Sequence, residues 1–244
     1  MNDMDYGERK KIGLIYPSAG WVMEQELNEM TPDGVSIHTT RVPLGNTDVE
    51  GLNRLLLKTE EAAELLSDIP VDVILLGCTS ASFINGLVYE RNMIADMVKR
   101  TGIPFTTTST SVIRALNAMG VKKVAVATPY IDEVTQLALA YLKENGIEVC
   151  NSRGMGLLLD RDIDAVKLDD VYEFAKNTDC EEAEALVVLC TGLRTGLRTI
   201  PTIERLERRL HKPVITAIQA SMWNALRMVG IDDKVEGYGS LFER

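Results

Sequence analysis

Two of the four cysteines sit where a thiol could react. Gly77-Cys78-Thr79-Ser80-Ala81-Ser82 follows the aliphatic run Val73–Leu76 and precedes a stretch with helical spacing. Leu189-Cys190-Thr191-Gly192 closes a second such run, Ala185–Leu189. A thiol at a helix start feels the positive end of the helix and ionises more readily, so the pattern predicts Cys78 as a thiolate. Backbone N–H groups there, with the hydroxyls of Thr79 and Ser80, make a cradle that suits a carboxylate. If the two loops face each other across one substrate, one thiolate removes a proton while the opposite thiol delivers one. Cys150 and Cys180 have no such setting and read as small core residues. Tyr130, next to the end of an apolar run, has a hydroxyl that can donate to a developing enolate oxygen. Arg41, Arg161, Arg194 and Arg198 are candidate forks for a substrate carboxylate, with Arg41, near a strand end, the best placed. The Thr106-Thr-Thr-Ser-Thr110 run supplies a helix cap, which the spacing places at Ser109.

These residues need elements to hold them. Short Ile/Val/Leu runs recur at Lys11–Tyr16, Ser36–Val42, Val73–Leu76, Ile103–Thr107, Val124–Ala127, Glu148–Asn151, Ala185–Leu189 and Val214–Thr216. Between them, Val49–Leu66, Gly86–Arg100, Ser109–Met119, Asp132–Asn145, Leu168–Lys176, Ile200–Leu210 and Ala220–Val229 have helical periodicity. Strands apolar on both faces, alternating with helices, predict parallel sheets covered on each side. Met119-Gly120, Asn145-Gly146 and Gly230 read as helix stops.

The chain also repeats itself. Lys10-Lys-Ile-Gly-Leu-Ile-Tyr-Pro17 is echoed at residues 122–129, and Leu76-Gly-Cys-Thr79 at residues 188–191, with the two cysteines equivalent. The fold class expected is α/β: two similar halves related by a pseudo-two-fold, residues 1–120 with Cys78 and 121–244 with Cys190. Each is an open parallel four-stranded sheet flanked by helices, with a cleft between, and the final segment has the option of crossing back. Ligands of such sheets sit beyond the carboxyl ends of the strands. The expected cleft wall is therefore Pro17-Ser18-Ala19-Gly20, Cys78-Thr79-Ser80, Thr107–Thr110, Pro129-Tyr130, Cys190-Thr191-Gly192 and Ala217–Gln219.

Composition narrows the partners. Lys plus Arg number 26 against 36 Asp plus Glu, a net charge of −10, which argues against nucleic acid and anionic membrane surfaces. Met1–Lys11 is polar where a signal peptide needs an apolar stretch of about 7–15 residues, so a cytoplasmic protein with reduced thiols is expected. Two isolated histidines, His38 and His211, and no CxxC pair give a metal little to bind. Without GxGxxG or GxxxxGK[ST], nucleotide binding is also disfavoured.

In Ile12–Gly20, Gly77–Phe83, Gly102–Ser111, Ala127–Asp132, Cys190–Thr195 and Gly237–Phe242, the chain resembles the Asp/Glu racemase superfamily. The likeness lies in the branch holding arylmalonate decarboxylase and maleate cis-trans isomerase, and it covers nearly the whole length. It implies a two-half fold, no metal or organic cofactor, and a dimer. It also implies an enediolate held by Thr79, Ser80, Tyr130 and the Thr191–Gly192 backbone, with Pro17, Ser18, Ala19, Gly20 and Arg41 lining the substrate. Arylmalonate decarboxylases carry glycine in place of Cys78 and protonate with the residue matching Cys190. Maleate isomerases carry both cysteines, and Thr191, Arg194, Gln219 and Trp223 fit their pattern. The first loop, with Gly20 where isomerases have asparagine, looks more like the decarboxylases, and Arg161 stands near a second such asparagine. The activity expected is a cofactor-independent two-cysteine isomerase or racemase of a small carboxylate or dicarboxylate, acting through a thiolate and an enediolate. The alternatives are an arylmalonate-type decarboxylase using Cys190 alone, and a two-lobed carboxylate-binding protein without catalysis.

Overall fold

The computed structural model describes residues 7–196 and 199–244. In chain order the elements are β1 (Lys10–Pro17), α1 (Val22–Met30), β2 (Val35–Val42), α2 (Val49–Ser67), β3 (Val73–Leu76), α3 (Thr79–Phe83), α4 (Gly86–Thr101), β4 (Phe105–Thr107) and α5 (Thr108–Ala118). They continue with β5 (Lys123–Tyr130), α6 (Asp132–Glu144), β6 (Glu148–Leu157), α7 (Asp160–Asp164), α8 (Leu168–Lys176), β7 (Ala185–Val188), α9 (Thr202–Leu210), β8 (Val214–Thr216) and α10 (Ala217–Met228). Two four-stranded sheets form in the orders β2-β1-β3-β4 and β6-β5-β7-β8. Every strand pairing is parallel. The shared order is the structural form of the sequence repeat: β1 and β5 take equivalent central places, and β3 and β7 lead to the two cysteines.

Burial explains the strand pattern. β3, β4, β7 and β8 are buried throughout, whereas β2 and β6, at the opposite edges from β4 and β8, are partly exposed and carry polar residues. β4 starts at Phe105 rather than Ile103, since Pro104 has no N–H to give a ladder and only its carbonyl is used, by Ile74 N–H at 2.8 Å. β6 runs on to Leu157 because a bulge interrupts its register: Val124 pairs with Val149 and Ala125 with Asn151, leaving Cys150 as the extra residue.

Caps decide the helix starts. Thr107, not Ser109, caps α5 by accepting from Thr110 N–H, so the helix begins at Thr108. α10 begins at Ala217 rather than Ala220 because Thr216 and Gln219 form a capping box. Gly120 and Gly146 take positive φ of 72° and 75° just past α5 and α6, as their positions predict. Helices α1, α3 and α7 lie outside the segments with helical periodicity.

The halves are fastened by buried polar contacts. α10 packs on α5, where Asn224 donates to Thr106 Oγ1 and Ser111 Oγ at 3.0 Å each and accepts from Arg114 at 2.8 Å. Glu90 on α4 accepts from Thr107, Thr110 and Tyr141, tying α5 to α6. Trp223 Nε1 donates to the Arg244 carbonyl at 3.2 Å, fixing the end of the chain on α10. Among the described residues no helix is long and apolar enough to cross a membrane.

Candidate active site

Cys78 is the cap residue between β3 and α3. A Cβ on the preceding Gly77 would lie 2.6 Å from Leu14 Cδ1 and 2.8 Å from Met23 Sδ, so a larger residue would have to push both side chains aside for this loop to pass over β1 and α1. The opposite loop differs in shape. Bends rather than a helix follow Cys190, and Cys190 itself has φ of +106°. That backbone is strained for any residue with a side chain, and such strain gathers at functional sites. The helix-start setting expected for both cysteines therefore holds for Cys78 alone. Gly192 N–H donates to Cys190 Sγ at 3.3 Å instead.

One hydrogen bond joins the two loops: Thr191 Oγ1 donates to the Gly77 carbonyl at 3.1 Å. The residue after one cysteine thus holds the residue before the other, and the two thiols share one site. Tyr130, the last residue of β5, completes it. Its ring packs edge-on against Phe83, with centroids 6.0 Å apart, and its buried hydroxyl faces both sulfurs. The Tyr130 and Thr79 hydroxyls are buried and meet full hydrogen-bond geometry with no group among the described residues, but they lie close to one another, and Tyr130 lies close to the Cys190 thiol.

Electrostatics overturn the thiolate expectation. Burial pushes the Cys78 thiol up to about 12, and the N–H groups of Ala81 and Ser80 with the Ser80 hydroxyl offset only part of that. Cys190 is driven higher still by burial and by the charges of Asp160 and Asp164, against the pull of Gly192 N–H and Tyr130. Both groups are neutral thiols in the free protein. The physical reason is desolvation by the facing half, which outweighs a five-residue helix. Cys78 remains the easier of the two to ionise, so it is the one more readily available as a thiolate, and Cys190 holds its proton more firmly.

Three carboxylates at the site were not singled out by the sequence reading. Asp164 Oδ2 accepts from Trp21 N–H at 2.5 Å and Val22 N–H at 3.0 Å, capping α1 of the first half from α7 of the second. The signal available in the sequence was that Trp21, the residue before α1, has no side chain able to cap. Glu26 on α1 accepts from Thr195 N–H, Thr195 Oγ1 and Gly196 N–H, anchoring the loop that follows Cys190. Asp160 is buried, its Oδ2 has no hydrogen-bond partner among the described residues, and Asp160 N–H donates to the Gly45 carbonyl at 3.0 Å. With Thr47 N–H donating to the Leu158 carbonyl, this latches α7 to the loop after β2.

The other expected site residues divide. Ser80 is buried with its Oγ 3.9 Å from Cys78 Sγ, and a Cβ on Gly192 would lie 2.2 Å from Asp164 Oδ1. In the Pro17–Gly20 loop, Ser18 Oγ accepts from Leu44 N–H at 3.4 Å, and a Cβ on Gly20 would strike the Tyr16 hydroxyl. Ala19 is half-buried there. The guanidinium of Arg41 is taken up by the Gly20 carbonyl at 2.7 Å, the Ser18 carbonyl at 3.3 Å and the Glu24 carboxylate. It holds the first loop rather than offering a free fork. Arg161 is exposed beside Asp162, away from the thiols, and Arg198 lies outside the described residues. Arg194 donates to the Asp164 carbonyl at 3.3 Å. Gln219 and Trp223 serve α10 and the chain end. Cys150 and Cys180 contact one another, sulfur to sulfur at 2.8 Å. Among the described residues no cluster could hold a metal ion.

With this geometry in hand, comparison with known proteins is decisive for the family. The arylmalonate decarboxylase family model matches residues 12–242. The chain belongs to the arylmalonate decarboxylase family. It is 31% identical to an arylmalonate decarboxylase from Bordetella bronchiseptica, over 98% of this chain and 99% of that protein. It is 26% identical to a maleate isomerase from Pseudomonas putida, over 95% and 96%. The crystal structure of a Pseudomonas putida maleate isomerase with maleate superposes with a TM-score of 0.90 at 26% identity, covering 96% of this chain and 97% of that one. Family members of both kinds are enzymes, and the fold here is theirs.

Proposed function

We propose that the protein is a cofactor-independent isomerase or racemase of a small carboxylate, with Cys78 and Cys190 as the paired acid and base. One observation carries this reading: two buried thiols, locked together through Thr191 and Gly77, with the Tyr130 hydroxyl facing both. Once substrate is bound, Cys78 gives up its proton to solvent, and the thiolate, held by the Ser80 and Ala81 N–H groups, takes a proton next to the substrate carboxylate, or adds to a double bond beside it. Charge moves onto the carboxylate as an enediolate. The Tyr130 and Thr79 hydroxyls are free to donate to it, and donors of this kind contribute about 2.7–4 kcal/mol each in oxyanion sites. Cys190 then delivers its proton from the other side, and the two thiols exchange roles in the reverse direction. A maleate isomerase-like cis-trans isomerisation and a racemisation share these steps.

Decarboxylation is the second reading, favoured by the higher identity to the Bordetella enzyme than to the isomerase. It needs Cys190 as proton donor and makes no use of Cys78. Proton NMR in heavy water with maleate, aspartate, methylmalonate and phenylmalonate separates the two. The isomerase or racemase reading predicts isomerisation or exchange that Cys78→Gly abolishes. Carbon dioxide release from a malonate that survives or rises in Cys78→Gly overturns it in favour of decarboxylation.

A further inference from the structure

The two-thiol site holds two carboxyl groups besides the thiols, and burial pushes both up, Asp160 to about 7 and Asp164 to about 6. Asp160 and Asp164 lie on one face of the short helix α7, and both act on the thiols: Asp160 opposes ionisation of Cys78 and of Cys190, and Asp164 that of Cys190. Asp164 is compensated. Its Oδ2 caps α1 and the charges of Arg194 and Arg41 face it, although its Oδ1 is buried without a partner among the described residues. Asp160 is not. Its Oδ2 is buried without a partner, and the charge that acts on it most is the like charge of Asp164. Among the described residues, the titratable groups facing it are the Cys78 thiol at the end of β3, the Cys190 thiol after β7, the Tyr16 hydroxyl of β1 and Asp164 on its own helix. None of these is a cation.

A second set of atoms points to the same place. Tyr130 and Thr79 are at most 1% exposed, and their hydroxyls are unpartnered and face the thiols. Thr47 Oγ1, on the loop to which α7 is latched, is likewise buried and unpartnered. Hydroxyls suit a carboxylate, and a bare buried carboxylate suits a cation. One small molecule satisfies both. We propose that the substrate of this site carries an ammonium group beside its carboxylate, bound by Asp160, and that Asp160 selects amino acids over their deaminated analogues.

This rests on the two-thiol reading for the location of the reacting carbon, and it strengthens that reading. An ammonium against Asp160 cancels a charge that adds to burial in opposing ionisation of both thiols, so substrate binding itself would favour ionisation of Cys78. A dicarboxylate would do the reverse, adding charge where Asp160 already opposes it.

The experiment compares matched probes that differ in one group. Dissociation constants are measured by saturation-transfer NMR at pH 8 for aspartate against succinate, alanine against propionate, and 2-aminobutyrate against butyrate. The proteins are wild type, Asp160→Asn, and the exposed control Asp162→Asn. Asp160 Oδ2 has no hydrogen-bond partner among the described residues that the amide would lose, and a thermal melt checks folding. In wild type and Asp162→Asn, at least one ammonium compound is expected to bind about tenfold or more tighter than its partner, as befits a charge-assisted hydrogen bond in a buried site. Asp160→Asn is expected to erase that preference. Equal or tighter binding of every deaminated partner to wild type overturns the proposal, and so does a preference that persists in Asp160→Asn. Deuterium exchange at the α-carbon, measured with Cys78→Ala and Cys190→Ala, separates the two claims. Cysteine-dependent turnover of succinate-like or maleate-like compounds refutes only the ammonium site, whereas ammonium-selective binding without any cysteine-dependent exchange refutes only the two-thiol chemistry.

Discussion

Glu26 offers a test in which the structure fixes both sign and size. Its carboxylate is buried on α1 and accepts two N–H bonds on Oε1, from Thr195 at 2.8 Å and Gly196 at 3.3 Å, and the Thr195 hydroxyl on Oε2 at 2.7 Å. Burial nevertheless pushes it up from 4.5 to about 7. The folded chain therefore holds this proton more tightly than the unfolded chain, and the stability it confers is full below about 4.5 and lost as pH rises through about 7. At about 1.4 kcal/mol per pH unit, the loss reaches about 3 kcal/mol. Glu26→Gln copies the protonated group: Oε1 still accepts both N–H groups, and the new amide N–H donates to Thr195 Oγ1, which reverses its role. Urea unfolding should then show the variant more stable than wild type by about 3 kcal/mol at pH 8.5, shrinking to about 1 kcal/mol at pH 5. A gain independent of pH, or a variant destabilised at pH 8.5, would refute the assignment of Glu26 as a buried, protonatable anchor.

Other expectations concern the cysteine loops. Because Cys190 has φ of +106°, Cys190→Gly should be more stable than Cys190→Ala by about 1 kcal/mol in urea while losing turnover; equal stabilities would remove the strain. Gly192→Ala puts a Cβ 2.2 Å from Asp164 Oδ1 and 3.0 Å from Ile163 Cγ2, so it should lower the melting temperature and abolish turnover, at a cost of about 1–3 kcal/mol. Normal stability and activity would show that the backbone here is not tightly set. With both thiols buried and neutral, iodoacetamide at pH 7.5 should label Cys78 and Cys190 much more slowly than a simple thiol, as read by peptide mass spectrometry. Labelling as fast as glutathione would contradict the desolvation described above.

The architecture was legible because its strands are buried on both faces and because the chain repeats. Val73–Leu76 was recognisable as a strand from its own residues, and its echo at residues 185–188 put two cysteines in equivalent places. What stayed hidden was whatever depends on the other half. Asp160 and Asp164 sit in Asp160-Arg-Asp-Ile-Asp164, a run that looks like solvated surface and becomes buried only when α7 lies against the loop after β2. Glu26 is similar, a charged residue on an amphipathic helix whose partners are far along the chain at Thr195 and Gly196. The ionisation of Cys78 was misread for the same reason. A helix start is visible in sequence, and the low-dielectric wall supplied by the facing half is not. Arg41 was identified as special, yet its partners, Gly20, Ser18 and Glu24, make it a brace of the loop instead of a substrate clamp.

The central claim is that two thiols act together on one substrate, and single-cysteine variants test it most directly. On whichever carboxylate wild type turns over, Cys78→Ala and Cys190→Ala are each expected to lose isomerisation or racemisation by at least about a thousandfold, with melting temperatures close to wild type. The size of that loss is the common one for removing one member of a catalytic unit. Wild-type turnover retained in either folded variant would contradict the account.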